Sequence, residues 1–381
     1  MRIGVDAREL VGRPTGAGRY LSGLLREWAA SSRTCPHEFV LYAPDRLGAE
    51  VDSHRFVTRI VSGSPGTWWE QVRMPRAAGS DQLDAFFAPA YTAPLRLNVP
   101  TVVAIHDISY VAHPEWFRAR EGLRRRWLTR QSAARARAVI TISEFSRRQL
   151  IEKLGVPGER VSVIPPGITA PGRPAVHHAL DVVHRGAREE RVLFVGSIFN
   201  RRHVPDLVRA FAIVARSRSE ASLDLVGDDR TYPHQDLQRT IASEGLDGRA
   251  RWHRYVSDER LCDLYSLARV FAFLSEYEGL GLTPLEAMAV GVPPVVLDTV
   301  VARETCGDAA LYVPLGGLTE TAHALEEALA DDTTRSRLLA AAPAVLAKYN
   351  WPDAARRTLE VIEGAVAGPA PAGAGWRPPE R

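Results

Sequence analysis

The sequence contains few cysteines, few lysines and no long apolar run. Its three cysteines, Cys35, Cys262 and Cys306, are odd in number and lack the short spacing of a metal site. This usage excludes a disulfide-stapled scaffold and is typical of a reducing cytoplasm. No apolar stretch reaches the length of about 20 residues that crosses a bilayer. The first residues run directly into a strand pattern, so we expect neither a membrane span nor a signal peptide.

Composition and missing motifs exclude several functional classes. The net charge of +3 does not require nucleic acid as a partner. Almost all of the basic residues are arginines, since Lys153 and Lys348 are the only lysines. Glycines at GxGxxG spacing and the Gly-Lys-Ser/Thr of a P-loop are absent, which argues against a dinucleotide oxidoreductase and a P-loop nucleotidase. No Asp-x-Asp follows a strand pattern, so we expect neither a metal nor a cofactor. With 381 residues, 45% of them hydrophobic, the chain should form two domains of ordinary size.

One stretch combines glycines with acids, namely Glu278-Gly-Leu-Gly-Leu-Thr-Pro-Leu-Glu286. It follows an aromatic-rich apolar run at 269–274 that predicts a buried strand. It precedes a helix-forming run that stops at Gly291, and a second strand pattern follows at 292–297. The stretch is therefore predicted to be a strand-to-helix turn at the carboxyl edge of a sheet, where ligands bind in open α/β folds.

The chemistry of this turn favours a nucleotide sugar. We expect Thr283 to cap the helix with the following proline at the first helical position. Gly279 and Gly281 would let an anion approach the N–H groups and the positive end of the helix dipole. A carboxylate beside a phosphate would repel it, so Glu278 and Glu286 are expected to accept hydrogen bonds from sugar hydroxyls.

A structural interpretation of Glu286 stays open. Thr283 and Glu286 also have the spacing of a capping box, in which the glutamate only folds back onto the start of the helix. Glu278 by itself would be a solvated loop acid. The capping box does not account for Glu278 together with Gly279 and Gly281.

The stretch resembles the Glu-x7-Glu motif of the family-4 retaining glycosyltransferases. Further phrases that resemble this family occur in the expected order, among them His-Asp-Ile-Ser-Tyr at 106–110 and ISEFSRRQL…VIPPGI within 142–168. The resemblance extends from Ile3 to about Ile362. It implies an α/β protein of the GT-B fold, with two Rossmann-like domains facing each other across a cleft. The predicted organisation is an acceptor domain at 1–170, a linker at 171–190, a donor domain at 191–349, a helix crossing back to the first domain at 350–367 and a disordered tail at 368–381.

In the N-terminal half, two features follow strand patterns. A glycine-rich segment from Gly12 to Tyr20 precedes a predicted helix and is either an ordinary loop or, by the resemblance, the loop lying against donor phosphates and acceptor. His106 and Asp107 come at the end of a predicted strand at 101–105. A lone histidine is more often structural, but the resemblance implies that His106 reaches the donor sugar and its phosphate.

In the C-terminal half, Arg201 and Arg202 stand between a predicted strand at 191–195 and a helix that begins at Val204. They form either a diphosphate clamp or a pair of solvated arginines, which would contribute little to folding. The family commonly has Arg-Lys here, so Arg202 departs from its pattern. The resemblance further implies that the backbone near Tyr255 and Val256 contacts the nucleotide base.

The predicted catalytic residues are His106, Asp107, Glu278, Arg201 and Arg202. The predicted donor-binding residues are Gly16, Gly18, Arg201, Arg202, Tyr255, Val256, Glu278, Gly279, Leu280, Gly281 and Glu286.

A predicted helix at 118–137 carries eight arginines against the single acid Glu121. Such a charge run usually marks a solvated helix face. The alternative is a surface for anionic lipid headgroups at the inner face of the membrane, with Trp116, Phe117 and Trp127 as interfacial anchors. The arginines are spread around the helix rather than confined to one stripe.

We expect a retaining, metal-independent glycosyltransferase that moves a hexose from a nucleotide diphosphate sugar to a saccharide or lipid-linked saccharide acceptor. Mannose from GDP-mannose is the first expectation, because similar bacterial proteins often build surface polysaccharides and glycolipids. Glucose or galactose from a UDP donor remains an alternative. So does a catalytically inactive partner protein that only binds sugar nucleotides.

Overall fold

The computed structural model describes residues 1–12, 16–30, 36–48, 55–169 and 188–368. The chain divides into two compact units, Met1–Gly167 together with the residues from Asn350 onward, and Ile168–Tyr349. Each unit contains one parallel sheet with helices, which confirms the predicted α/β class with two Rossmann-like domains.

The first unit is built on a seven-stranded sheet with the order β3-β2-β1-β4-β5-β6-β7. Its strands are β1 Arg2–Asp6, β2 Glu38–Ala43, β3 Phe56–Ile60, β4 Ala85–Ala88, β5 Thr101–Ala104, β6 Ala138–Thr141 and β7 Val161–Val163. Its helices before the second unit are α1 Gly16–Ala30, α2 Met74–Ala78, α3 Ser109–Ala112, α4 Ala119–Arg135 and α5 Glu144–Leu154. The strand order reverses between β1 and β4, which makes their carboxyl ends the expected position of a binding crevice.

The second unit has a six-stranded sheet with the order β10-β9-β8-β11-β12-β13. Its strands are β8 Arg191–Val195, β9 Ser222–Val226, β10 Ala250–His253, β11 Val270–Phe273, β12 Pro294–Leu297 and β13 Leu311–Val313. Its helices are α6 Val204–Ser217, α7 Leu237–Ser243, α8 Asp258–Leu267, α9 Leu282–Ala289, α10 Val300–Cys306, α11 Leu318–Ala330 and α12 Asp332–Leu346. Here the strand order reverses between β8 and β11, directly before the two segments that the sequence singles out.

The last helix, α13 Trp351–Ala367, packs in the first unit against α1. Trp28 of α1 donates its indole N–H to the Ala355 carbonyl at 3.1 Å and stacks on Phe39 of β2. A Cβ atom at Gly23 would lie 2.4 Å from the Trp351 ring, so only glycine fits beneath this indole. The C-terminal helix is therefore part of the core of the first unit.

Several boundaries differ from the sequence predictions. The strands β3 and β10 are not predicted, because β3 is mostly exposed and β10 is only partly buried, so neither has the continuous apolar pattern of a buried strand. Helix α1 begins at Gly16 rather than Tyr20, which places Gly16 and Gly18 in its first turn. The Arg-rich helix spans Ala119–Arg135 rather than 118–137. Most of the predicted linker and tail, at 170–187 and 369–381, lies outside the described residues.

Candidate active site

Two loops meet where the strand order of the second sheet reverses. The loop after β8 ends in a 3-10 turn, Asn200–Arg202, and the loop after β11 leads into α9. The Glu276 N–H donates to the Arg201 carbonyl at 3.0 Å, and Arg201 Nε donates to the Tyr277 carbonyl at 3.2 Å. These contacts bring the predicted diphosphate clamp against the Glu278 loop.

Arg202 holds the carboxylate of Glu278 directly. Its Nε donates to Glu278 Oε1 at 2.8 Å and its Nη1 to the Ser197 carbonyl at 2.9 Å, while the guanidinium lies 4.9 Å from the Phe273 ring centroid. Nη2 makes no hydrogen bond to any described residue. The Arg202 side chain is only 13% exposed, so its interpretation as a solvated arginine was wrong.

The backbone is shaped for this guanidinium. Gly196 has φ +146, and a Cβ atom there would lie 2.5 Å from Arg202 Nη1. Only glycine therefore leaves the space that Arg202 occupies at the end of β8.

Glu278 is held in its charged form. Burial raises the pKa of the Glu278 carboxyl, but the Arg202 and Arg201 guanidiniums lower it by more than burial raises it. The pKa of Glu278 therefore lies below its ordinary value. Ser275 Oγ also donates to Oε1, at 2.9 Å. Within the described part of the chain Oε2 accepts no hydrogen bond, which leaves one oxygen for a substrate hydroxyl.

The start of α9 differs from the predicted arrangement. Gly281, with φ +88, occupies the N-cap position and has no side chain with which to cap the helix. Thr283 is the second helical residue, so the predictions of a Thr283 cap and of a capping box with Glu286 were wrong. The physical reason is the left-handed conformation of Gly281, which places the N-cap two residues earlier than predicted. The N–H groups of Leu282 and Thr283 head the helix at the sheet edge, as an anion site requires.

Three predicted donor-binding residues lie on this turn, and Glu286 lies on α9. Gly279 and Leu280 are buried, whereas Gly281 and the Glu286 residue are half-buried. The turn joins Glu278 to the helix N-terminus over three residues. The direct binding role of Glu286 stays a prediction.

Tyr255 and Val256 lie at the far end of the same sheet edge, between β10 and α8. Ser257, which follows them, caps α8 by accepting a hydrogen bond from the Arg260 N–H at 3.2 Å. Three strand spacings separate β10 from β11, or roughly 14 Å at about 4.8 Å each. A base contact at Tyr255 would therefore need a ligand that extends along the edge, and this role stays a prediction.

In the first unit, His106 follows β5 and is held as a neutral imidazole. Its Nε2 lies 2.8 Å from the Pro89 carbonyl, which can only accept, so Nε2 carries the proton. Burial lowers the pKa of His106 despite this hydrogen bond and the nearby Asp107 charge. The rings of Tyr20 and Tyr91 meet the imidazole edge-on at 4.7 and 5.5 Å. Nδ1 is left as a hydrogen-bond acceptor.

Asp107 has both carboxylate oxygens engaged. Oδ1 accepts from the Ser109 N–H at 2.8 Å and Oδ2 from the Tyr91 hydroxyl at 2.9 Å. These contacts shape the turn into α3, while a catalytic role of Asp107 stays a prediction. Gly16 and Gly18 lie in the first turn of α1, and their contact with substrate also stays a prediction.

A buried charge cluster that was not predicted from the sequence lies where the strand order of the first sheet reverses. Arg8 Nη2 contacts Glu70 Oε1 at 2.8 Å, and Arg8 Nε lies 3.3 Å from Asp6 Oδ2. Thr92 Oγ1 donates to the same Glu70 oxygen at 2.5 Å. Burial raises the pKa of Asp6 to about 6, although Arg8 opposes this shift. Asp6 and Arg8 follow a strand pattern and could have been noticed, but Glu70 lies on a π-helical turn that no local pattern predicts.

The described residues contain neither a metal cluster nor a membrane-spanning helix. No three His, Cys, Asp or Glu side chains in that part of the chain are grouped as a metal site needs. No helix there is both long and apolar enough to cross a bilayer.

Comparisons with known proteins agree on one family. Residues 182–345 match the family model of glycosyl transferases group 1, and residues 14–170 match that of glycosyltransferase family 4. O-antigen chain mannosyltransferase B of Escherichia coli is 27% identical over 73% of this chain and 74% of that protein. Alpha-D-kanosaminyltransferase of Streptomyces kanamyceticus is 29% identical over 67% and 68%. D-inositol 3-phosphate glycosyltransferase of Kineococcus radiotolerans is 30% identical over 71% and 67%.

Solved structures show the same fold at lower identity. Sucrose-phosphate synthase from Thermosynechococcus elongatus superposes with a TM-score of 0.76 at 20% identity, covering 96% of this chain and 99% of that one. HepE from Anabaena, in complex with UDP and glucose, gives a TM-score of 0.72 at 20% identity over 95% and 99%. The predicted GT-B fold and the family resemblance are thereby confirmed. The chain belongs to the group 1 glycosyltransferases, with a family 4 N-terminal domain, and is a hexosyltransferase.

Proposed function

We propose that this hexosyltransferase moves its sugar from a nucleotide diphosphate donor to an acceptor hydroxyl with retention of the anomeric configuration and without a metal ion. The observation that carries the proposal is the Arg202–Glu278 pair beside the uncapped start of α9. One guanidinium edge and one carboxylate oxygen remain for the substrate, so an anion and a hydroxyl can be bound side by side.

The arginines act on the leaving group. As the bond between the anomeric carbon and the phosphate oxygen breaks, negative charge develops on the diphosphate. Arg201, Arg202 and the N-terminus of α9 stabilise that charge in the transition state. The acceptor oxygen forms the new bond on the same face of the sugar, and its proton passes to the departing phosphate oxygen. Two guanidiniums supply the positive charge that a divalent cation would otherwise supply.

Glu278 orients the sugar. Its free oxygen Oε2 accepts a hydrogen bond from a hexose hydroxyl, because Arg202 and Ser275 hold Oε1 and keep the group ionised. Glu286, further along α9, would accept hydrogen bonds from the ribose hydroxyls. The donor thus binds to the second unit, which contains Arg201, Arg202, Glu278, Glu286 and the N-terminus of α9.

We assign the acceptor to the first unit. His106 offers Nδ1 as a neutral acceptor for a substrate hydroxyl, because Nε2 is committed to the Pro89 carbonyl. The contact of His106 with the donor sugar and its phosphate, which the family resemblance implies, stays a prediction. A saccharide or lipid-linked saccharide provides many such hydroxyls. The similarity to O-antigen chain mannosyltransferase B supports mannose as the transferred sugar. We propose GDP-mannose as its donor and an acceptor in surface polysaccharide or glycolipid synthesis. A UDP-glucose or UDP-galactose donor is the second candidate, favoured by the likeness to a fold neighbour bound to UDP and glucose.

A donor screen tests the proposal. Thermal shift with GDP-mannose, UDP-glucose and UDP-galactose, all at one concentration, should reveal the donor as the ligand that stabilises most, by about 2.7 kcal/mol once its concentration reaches a hundred times its Kd. NMR of the product formed with that donor should show a retained anomeric configuration. An inverted product would contradict the mechanism. Nucleotide binding without transfer or donor hydrolysis would instead indicate an inactive binding partner.

We further propose that α4 contacts anionic lipid at the cytoplasmic face of the membrane. Leu123 and Trp127, one helical turn apart, are 62% and 55% exposed. The neighbouring positions on this face are also exposed and are Arg120, Arg124 and Arg130. Two exposed apolar side chains among arginines are typical of a helix that lies on a membrane surface. Each basic residue contributes about 1 kcal/mol to the binding free energy near anionic headgroups.

Co-sedimentation with vesicles tests the membrane proposal. Wild type should bind phosphatidylserine vesicles better than phosphatidylcholine vesicles, and less at high salt. Trp127→Ala should weaken this binding. Trp68→Ala is the matched control, because Trp68 is 68% exposed in the same unit but lies outside α4. Equal binding by the two variants would contradict the assignment to α4.

A further inference from the structure

His203 directly follows the turn of the arginine clamp and begins α6 in an unusual backbone conformation. Its φ of +45 and ψ of +38 lie in the left-handed region, which few residues other than glycine adopt, although asparagine, aspartate and histidine do so more often than the rest. Its carbonyl oxygen accepts hydrogen bonds from the backbone N–H groups of Asp206 and Leu207, both at 3.0 Å. The residue is thereby held at the junction between the clamp and the helix.

The imidazole of His203 lies between carboxylates from two different elements. Nδ1 is 3.4 Å from Asp206 Oδ2 on α6, and Nε2 is 3.3 Å from Glu276 Oε2 in the loop after β11. Asp206 has a second partner in Arg209, at 2.6 Å. Glu276 precedes Glu278 by two residues, so the imidazole joins the Glu278 loop to the start of α6.

We infer that the His203 imidazolium is a positioning residue of the donor site, which neutralises Glu276 and holds the Glu278 loop in place beside the arginine clamp. The inference rests on the proposed function, because it assumes that the clamp binds a diphosphate. Without the imidazolium, Glu276 would be an unpaired carboxylate close to that anion, and it would weaken binding by repulsion.

The charges around His203 favour its protonated form. Its hydrogen bond with Asp206 raises the pKa of His203, burial opposes this, and the Glu276 carboxylate raises it again, so the pKa lies above the ordinary value. Arg201 and Arg202 on the preceding turn and Arg209 on α6 are the cations nearby. The imidazolium is present at low pH and is lost as pH rises through the raised pKa, which removes one positive charge from the donor site.

Donor affinity as a function of pH tests this inference. Calorimetry between pH 5.5 and 9 uses GDP-mannose and UDP-glucose, whose diphosphate diesters do not titrate in this range. Wild-type affinity should fall about three- to fivefold as pH rises, the order expected for one partly exposed charge pair. His203→Asn keeps a residue that tolerates the left-handed backbone. This variant should bind weakly at low pH and show no such step.

A second substitution separates the charge from the fold. If His203 acts by neutralising Glu276, then Glu276→Gln in the His203→Asn background should restore low-pH affinity to within about twofold of wild type. His234→Asn is the matched control, because His234 pairs with Asp229 at 3.2 Å on an exposed loop of the same unit. This control should keep the wild-type pH profile.

Three results would overturn the inference. They are wild-type affinity that does not change with pH, an unchanged pH step in His203→Asn, and a double variant that binds no better than His203→Asn. Absence of donor binding by wild type at every pH would overturn the proposed function and this inference with it.

Discussion

Replacement of Arg202 separates its role in the fold from its role in transfer. Arg202→Ala removes the hydrogen bonds to Glu278 and to the Ser197 carbonyl and leaves Glu278 without its cation. Breaking a fully buried ion pair costs about 3–5 kcal/mol. The Arg202 and Glu278 side chains are still 13% and 15% exposed, and Glu278 can take up a proton when its cation is removed. Because both factors reduce the cost, we expect Arg202→Ala to lower the free energy of unfolding by about 2–3 kcal/mol. In a unit of this size each kcal/mol lowers Tm by about 2–4 °C.

The expected loss of activity is much larger than instability explains. Removing one donor to a developing charge typically lowers kcat by about 10²–10³. The measurement is kcat with saturating donor at 20 °C, well below the transition, together with Tm by calorimetry. Arg202→Lys keeps the charge but cannot bond Glu278 and Ser197 in the same forked geometry, so it should fall between wild type and Arg202→Ala.

Arg191→Ala is the matched control for stability. Arg191 is also buried, contacts Asp224 Oδ2 at 2.8 Å and lies at the opposite, amino end of β8. We expect a comparable loss in Tm and nearly unchanged kcat. An unaltered kcat in Arg202→Ala, or an equal loss of kcat in both variants, would refute the assignment of Arg202 to the departing diphosphate.

Three further predictions concern separate groups. Glu286→Gln should lower donor affinity by roughly ten- to a hundredfold, since a charged acceptor contributes about 1.5–3 kcal/mol, with little change in the Tm of the free protein; unaltered affinity would remove Glu286 from the site. Transfer should continue in EDTA, and activity lost there but restored by Mg²⁺ or Mn²⁺ would contradict a metal-free mechanism. The pKa of His106 is lowered in the fold, so stability should fall as pH drops below about 6.5, where the unfolded imidazole takes up a proton first. In thermal melts between pH 7.5 and 5, His106→Gln should lose less stability than wild type, and parallel profiles would count against a buried neutral His106.

Much of the architecture follows from the sequence alone. Central strands such as β4, β8 and β11 are short apolar runs, and buried parallel strands need that composition on both faces. The Glu278 turn could be placed at a sheet edge because glycines and a helix-forming run follow β11 directly. The strands β3 and β10 were missed because their side chains are exposed or only partly buried, which relaxes the same requirement.

The tertiary structure decided which groups act together. Arg202 and Glu278 are 76 residues apart, and Arg8 and Glu70 are 62 apart, so no local pattern pairs them. Whether Arg202 was a solvated arginine or a buried partner depended on β8 lying beside β11, which sequence periodicity does not specify. The cap of α9 likewise depended on the left-handed backbone of Gly281, whereas the sequence favoured the nearby threonine. Local composition determines the elements, but charge pairing depends on distances in space, which only the packed sheet sets.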